Sequence, residues 1–150
     1  MSRLNPWIAA PEAMNQLVEF SMAQARDSVE ESLQHLIKIR ASQINGCAVC
    51  LHMHTAEARK HGESEARIYL LDAWHEAGVF TAREKAALAW ADALTRLSET
   101  RAPDEAYDAV TAEFTDEEVV KLTMLINAIN AFNRFGVGFR SPPIGLKKAA

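Results

Sequence analysis

The chain has 150 residues, of which 49% are apolar and 24% charged, the composition of an ordinary single-domain globular protein. Its 16 basic and 20 acidic side chains give a formal charge of −4, and this balance argues against a nucleic-acid partner, which needs a concentrated basic surface. The amino-terminal residues contain no apolar segment typical of a secretory signal, and no apolar run reaches the length of a membrane span. We therefore expect a cytoplasmic protein with no membrane partner.

Helical periodicity dominates the chain. Apolar residues recur at spacings of three and four, as in Leu33, Leu36 and Ile37, and no segment alternates with a period of two. This pattern predicts an all-α fold, a single-domain helical bundle of about seven helices. In chain order they span 11–25, 29–44, 47–61, 64–77, 82–99, 104–113 and 116–135.

Local signals mark many of the helix ends. Three S/T-x-x-E sequences fit the capping box of a helix start, and they begin at Ser28, Thr81 and Thr115. Three glycines stand where helices are predicted to stop, namely Gly62, Gly78 and Gly136. The prolines within 141–150 predict an extended carboxy-terminal tail, which leaves a domain core of about 12–140.

The chemistry of the chain is concentrated at Cys47-Ala48-Val49-Cys50, followed by His54. Asn45-Gly46 interrupts the helical pattern, so Cys47 is predicted in the first turn of a helix, where free amides and the helix dipole favour a thiolate. The two cysteines are three residues apart, on one helical face and close enough for a disulfide. His54 lies one turn beyond Cys50 and can exchange a proton with a thiol.

Alternatives to redox chemistry remain open for this cluster. Two cysteines can be small buried apolar residues with no chemical role. Cys47, Cys50 and His54 can also be three zinc ligands, although structural zinc usually takes a second ligand pair from elsewhere and the chain has no other cysteine. Covalent haem needs C-x-x-C-H, which Leu51 excludes. In a reducing compartment a redox role is the simplest interpretation, and it requires neither a metal nor an organic cofactor.

Four segments resemble one family. The segment 40–54 (RASQINGCAVCLHMH) strongly resembles the core of the alkyl hydroperoxide reductase D-like, carboxymuconolactone decarboxylase superfamily. Supporting segments are 58–63, 81–90 and 127–136, and the likeness covers about 12–140. The resemblance implies an all-α fold, homo-oligomers (trimers or hexamers) and peroxidase activity through the dithiol.

The resemblance also assigns roles. The family motif C-x-x-C-x-x-x-H maps onto Cys47, Cys50 and His54. The family's relay glutamate stands twelve residues before the first cysteine, where this chain has His35, and Val49 replaces the histidine that the reductase carries before its second cysteine. We therefore add His35 to the candidate catalytic residues as a proton relay.

These features predict a thiol-dependent hydroperoxide reductase. A thiolate attacks a small hydroperoxide, the second cysteine closes a disulfide, and an external dithiol reductant reopens it. The proximity of His54 favours Cys50 as the attacking residue, whereas the helix start favours Cys47. Alternative functions are a non-catalytic redox sensor, an oligomeric interaction protein, or a relative of the decarboxylase branch.

Overall fold

The computed structural model describes residues 3–26 and 28–146 of the chain. Within them every regular element is helical and no strand occurs, so the all-α prediction is confirmed. In chain order the helices are α1 (Pro6–Ala9), α2 (Pro11–Arg26), α3 (Glu31–Asn45), α4 (Ala48–Lys60), α5 (Glu65–Leu70), a 3₁₀ turn (Leu71–Ala73), α6 (Ala82–Thr95), α7 (Leu97–Thr100), α8 (Asp104–Glu113) and α9 (Asp116–Gly138).

Each of the seven predicted helices has a counterpart, and two short helices, α1 and α7, were not predicted as separate elements. The predicted helix 82–99 is wrong in its length, because the backbone breaks at Arg96. The Thr100 hydroxyl donates to the Ala93 carbonyl at 2.6 Å and so satisfies one acceptor that this break leaves free. The predicted helix 64–77 ends earlier, at the 3₁₀ turn.

Two of the three predicted capping boxes are present. The hydroxyl groups of Thr81 and Thr115 each accept a hydrogen bond from the backbone N–H three residues later. The glutamate at that later position accepts a hydrogen bond from the backbone N–H of the threonine. The box predicted at Ser28 is wrong, because the helix begins at Glu31 with Glu30 in the cap position and no side-chain cap bond. The Ser28 hydroxyl has no hydrogen-bond partner among the described residues, and the carboxylate of Glu31, the glutamate of the predicted box, lies 3.4 Å from Nε2 of His61.

Helix α3 lies at the centre of the bundle and packs against α4, α6 and α9. Most of its apolar side chains are buried, and they pack against those of α6 and α9. The largest of these core side chains are Leu36, Ile37, Ile39, Leu88, Leu122, Leu125 and Ile126. Their burial supplies most of the free energy that holds α3 in place, at about 1.5–3 kcal/mol for each side chain.

A buried guanidinium connects α3 to its neighbours. Arg40 donates two hydrogen bonds to the Asp92 carboxylate, at 2.7 and 2.8 Å, and one to Asp72 at 2.5 Å. Hydrogen bonds from the guanidinium to the two carboxylates raise the Arg40 pKa against the effect of burial, so the charge is retained. Breaking the mostly buried pair with Asp92 on one side costs about 3–5 kcal/mol, whereas the exposed Asp72 contributes less, so the pair with Asp92 helps to fix the helix that leads to the cysteines.

The described part of the carboxy-terminal tail contains no helix, as predicted. Residues 141–146 contain a turn and no helix, and residues 147–150 of the predicted tail lie outside the described residues. No helix among the described residues is long and apolar enough to cross a membrane.

Candidate active site: a cysteine pair at a helix start

A sharp turn between α3 and α4 positions the two cysteines. Gly46 adopts the left-handed conformation, with φ 65° and ψ 34°, which glycine reaches without steric cost. Cys47 follows as the N-cap residue of α4, and its N–H donates to the Ser42 carbonyl at 3.0 Å. Cys50 lies in the first turn of the same helix, whereas Cys47, which was predicted in that turn, precedes the helix by one residue.

The two cysteines form a disulfide, with their Cα atoms 5.3 Å apart. Both cysteines are buried, but they differ in their position relative to a cavity. Cys50 is 4% exposed and lines a cavity, whereas Cys47 is 0% exposed and is not among the cavity-lining residues. A molecule in the cavity therefore meets Cys50 first.

His54 is buried beside this cavity, one turn beyond Cys50. Its Nδ1 lies 2.8 Å from Oε2 of Glu57, so in that contact the imidazole N–H donates to the carboxylate. The bond from His54 lowers the pKa of Glu57 below its ordinary range and keeps the carboxylate charged. Such a bond orients the ring and leaves Nε2 for a second partner.

Glu57 was not predicted as a site residue. It also lines the cavity, where Lys38 is a second charged neighbour. Burial lowers the pKa of Lys38, and Glu57 opposes that effect. The available signal was the spacing of three residues between His54 and Glu57, which places them on one face of α4.

His35 does not line the cavity, although the charges of Lys38 and Glu57, which do line it, act on its imidazole. It lies on α3, is 6% exposed, and its ring centroid is 4.9 Å from that of His61. Neither of its ring nitrogens has a hydrogen-bond partner among the described residues. Burial, followed by the charges of Lys38 and His61, lowers the His35 pKa. His35 is not a cavity-lining residue, and its relay role stays a prediction.

The cavity has a volume of about 430 Å³, within the range of small-molecule sites. Cys50, His54 and Glu57 line one side of it. Helices α2 and α9 supply most of its apolar lining, through Met14, Val18, Leu125, Ile129, Phe132 and Phe135. The arrangement combines a sulfur, an imidazole and a carboxylate with a predominantly apolar chamber.

A network of amides anchors the turn that carries the cysteines. The Asn45 amide donates to the side-chain oxygens of Asn130 and Asn133 on α9, each at 2.9 Å. Asn133 in turn donates to the Ser42 hydroxyl at 3.0 Å. Because these groups lie largely away from water and are mutually satisfied, they hold the end of α3 in one position against α9.

The absence of a side chain at Gly136 allows α9 to lie close to the disulfide. The prediction that Gly136 ends a helix is wrong, because α9 continues to Gly138, whereas Gly62 does follow the end of α4 with φ 91°. A Cβ atom at position 136 would lie 2.5 Å from the Cys47 sulfur and 3.4 Å from the Cys50 sulfur. Glycine is required there because the helix backbone packs directly on the two sulfur atoms.

Comparison with known proteins identifies the family. The model of the carboxymuconolactone decarboxylase family matches residues 11–93. The uncharacterized protein YdfG of Bacillus subtilis (strain 168) is 41% identical over 135 residues, which cover 90% of this chain and 92% of that protein.

Solved structures show the same architecture. The protein ATU0492 of Agrobacterium tumefaciens, of unknown function and described as a candidate antioxidant defence protein AhpD, superposes with a TM-score of 0.93 at 45% identity, over 95% of this chain and 98% of that one. An uncharacterized peroxidase-related protein of Ralstonia eutropha JMP134 with an alkylhydroperoxidase AhpD core gives a TM-score of 0.81 at 16% identity, over 93% and 74% of the two chains, a likeness of fold alone. The chain therefore belongs to the carboxymuconolactone decarboxylase family and has the AhpD-like fold.

Proposed function

We propose that this protein is a thiol-dependent reductase of organic hydroperoxides. The observation that carries the proposal is the placement of Cys50, His54 and Glu57 along a largely apolar cavity, with Cys47 fully buried and bonded to Cys50. A disulfide-forming pair in which one cysteine lines the cavity and the other does not supports a division between an attacking and a resolving thiol.

The proposed reaction begins with the reduced pair. The Cys50 thiolate attacks the terminal peroxide oxygen, the O–O bond breaks, and Cys50 becomes a sulfenic acid. His54, held by Glu57, accepts the proton of the Cys50 thiol and passes it to the departing alkoxide, which becomes an alcohol. Cys47 then attacks the sulfenic sulfur, a disulfide forms, and the hydroxyl leaves as water. An external dithiol reduces the disulfide by exchange, which fits a cytoplasmic location.

The chamber favours a substrate with an apolar body. A volume of about 430 Å³ is far larger than hydrogen peroxide, and aromatic and aliphatic side chains line the walls. Burying such a substrate gains about 25 cal/mol for each Å² of apolar surface removed from water. We therefore expect cumene hydroperoxide to have a lower KM than hydrogen peroxide.

The assembly implied by the resemblance, a trimer or hexamer, is part of the same proposal. Large apolar side chains stay exposed on the single chain, including Ile8, Tyr69 and Val120. Contact between chains would remove such groups from water.

The direct test is steady-state consumption of cumene hydroperoxide with dithiothreitol as the dithiol reductant. The wild-type protein should turn over many times, and the double variant Cys47→Ser, Cys50→Ser should fall to the uncatalysed rate, because serine neither forms a sulfenic acid nor closes a disulfide. Oxidation of the wild-type pair with no more than one turnover under these conditions would contradict the proposal and favour a redox sensor.

The relay has two candidates, Glu57 and His35, and matched amide variants separate them. Glu57→Gln should lower kcat about tenfold, because general acid–base catalysis contributes about 10²–10⁴-fold and depends on the orientation of the imidazole.

Burial lowers the pKa of His35 below its ordinary value of 6.5. Any pH dependence of the rate that arises from the titration of His35 should therefore lie below that value. The measurement is the pH–rate profile of both variants between about pH 5.5 and 8.5. A profile for His35→Gln that superimposes on that of the wild type would exclude His35 from the relay, and an unchanged kcat for Glu57→Gln would exclude Glu57.

A further inference from the structure

A second cluster of ligand-type side chains lies outside the cavity. Glu31 begins α3, His35 follows one turn later on that helix, and His61 caps the end of α4. One ligand atom from each of the three residues can be chosen so that all lie within 4.8 Å of one another. Nε2 of His61 and Oε1 of Glu31 are 3.4 Å apart. Two ligands about 2.1 Å from a tetrahedral ion are separated by about the same distance.

His61 is oriented for coordination by its own helix. Its Nδ1 lies 2.9 Å from the Glu57 carbonyl oxygen, and a carbonyl only accepts, so Nδ1 carries the proton. Nε2 of a neutral His61 therefore presents a lone pair toward Glu31. Metal-binding histidines typically have this arrangement, with one nitrogen donating to a carbonyl or carboxylate and the other bound to the ion.

His35 provides an independent observation. The residue is only 6% exposed, and neither ring nitrogen has a hydrogen-bond partner among the described residues. A buried polar group without a partner destabilises the fold, because it loses its hydrogen bonds to water and gains none in return. Coordination through the nitrogen that faces His61 and Glu31 would recover part of that cost. Burial also lowers the His35 pKa, and a neutral imidazole is the form that binds a metal.

We propose that Glu31, His35 and His61 form a binding site for a divalent transition-metal ion such as Zn²⁺. Two imidazoles and one carboxylate suit zinc, and neither Ca²⁺ nor Mg²⁺ prefers nitrogen ligands. Glu31 and His61 are exposed, so water can complete the coordination. This site differs from a zinc site at the cysteines, because it shares none of the residues Cys47, Cys50 and His54.

The surrounding charges set how tightly an ion binds. The carboxylates of Glu31 and Glu57 act on His35 in the direction that favours a cation, and Lys38 acts in the opposite direction. Only Glu31 among these groups belongs to the ligand set. We therefore expect an exchangeable site, because a single carboxylate in the ligand set offsets only part of the charge of a divalent ion.

The test uses the full chain in its oxidised form, so that the disulfide removes both thiols as ligands. Zn²⁺ is titrated in competition with a chromophoric chelator. The wild-type protein should bind one ion per chain, and His61→Gln should weaken binding at least about tenfold, since even outer-shell changes cost about 10–100-fold. Glu31→Gln should weaken binding as well. His75→Gln is the matched control, because His75 is exposed and stacks on Trp74.

Co²⁺ provides a second readout, since its visible absorption bands report nitrogen and oxygen coordination directly. His61→Gln should lose these bands, and His75→Gln should keep them. The proposal is overturned if the oxidised protein binds no zinc at micromolar concentration, or if His61→Gln and Glu31→Gln bind it as the wild type does. Zinc that binds only to reduced protein, and not to the double cysteine variant, would place the metal at the thiols and also overturn the proposal.

Discussion

Cys50→Ser is expected to abolish reaction with hydroperoxide, whereas Cys47→Ser should retain a single oxidation. Cys50 lines the cavity, and Cys47 is fully covered, so only the Cys50 sulfur can meet a substrate in that chamber. Without Cys47 the Cys50 sulfenic acid has no resolving thiol beside it and should accumulate. Steady-state turnover should therefore be lost in both variants, but for different reasons.

Mass spectrometry after one equivalent of cumene hydroperoxide distinguishes the two variants. Cys47→Ser should gain one oxygen atom at Cys50, and dimedone should trap this sulfenic acid. Cys50→Ser should remain unmodified over the same time, and wild-type protein should lose two hydrogens within residues 47–50. Rapid oxidation of Cys47 in the Cys50→Ser variant would reverse the assignment and indicate that the helix start, where Cys47 lies, selects the attacking thiol.

Local signals in the sequence were sufficient to predict most of the helices. Capping boxes at Thr81 and Thr115 depend on residues three positions apart, so they are visible without tertiary information. The box predicted at Ser28 is absent because α3 begins only at Glu31, whose carboxylate lies near His61 at the end of α4, and no local pattern indicates such a contact. The predicted helix lengths were wrong where a tertiary contact or a short turn replaces the last helical turn, as at Arg96.

The candidate site was predicted only in part, because some of its residues are close together in the sequence and others are distant. Cys47, Cys50 and His54 lie within eight residues, so their proximity follows from spacing alone, and the structure has Cys50 and His54 on α4 with Cys47 at its N-cap. The apolar chamber requires helices α2 and α9, which are distant in sequence, and no periodicity shows which faces meet. His35 was placed by family resemblance at a relay position, but its nearest ring neighbour is His61, a contact between two helices.

Gly136→Ala is expected to destabilise the protein and to slow peroxide reduction at least tenfold. In an unconstrained helix interior, glycine to alanine stabilises by about 1 kcal/mol. Here the new Cβ would lie 2.5 Å from the Cys47 sulfur, a distance that requires the helix or the cysteine to move. Overpacking of this kind costs about 1–3 kcal/mol, so the propensity gain is offset and the sign of the change is reversed. Since the displaced atom is a reacting sulfur, catalysis should suffer more than stability.

Gly138→Ala on the same helix is the matched control, because a Cβ there meets no atom within 4 Å. Urea unfolding should show Gly136→Ala less stable than the wild type, and Gly138→Ala equally stable or more stable. Peroxide consumption should fall only in Gly136→Ala, together with slower closure of the disulfide after oxidation of the reduced protein. If both variants gain stability and keep full activity, α9 does not constrain the cysteine pair. Loss of stability with unchanged activity would instead mean that the helix moves and the sulfur atoms stay in place.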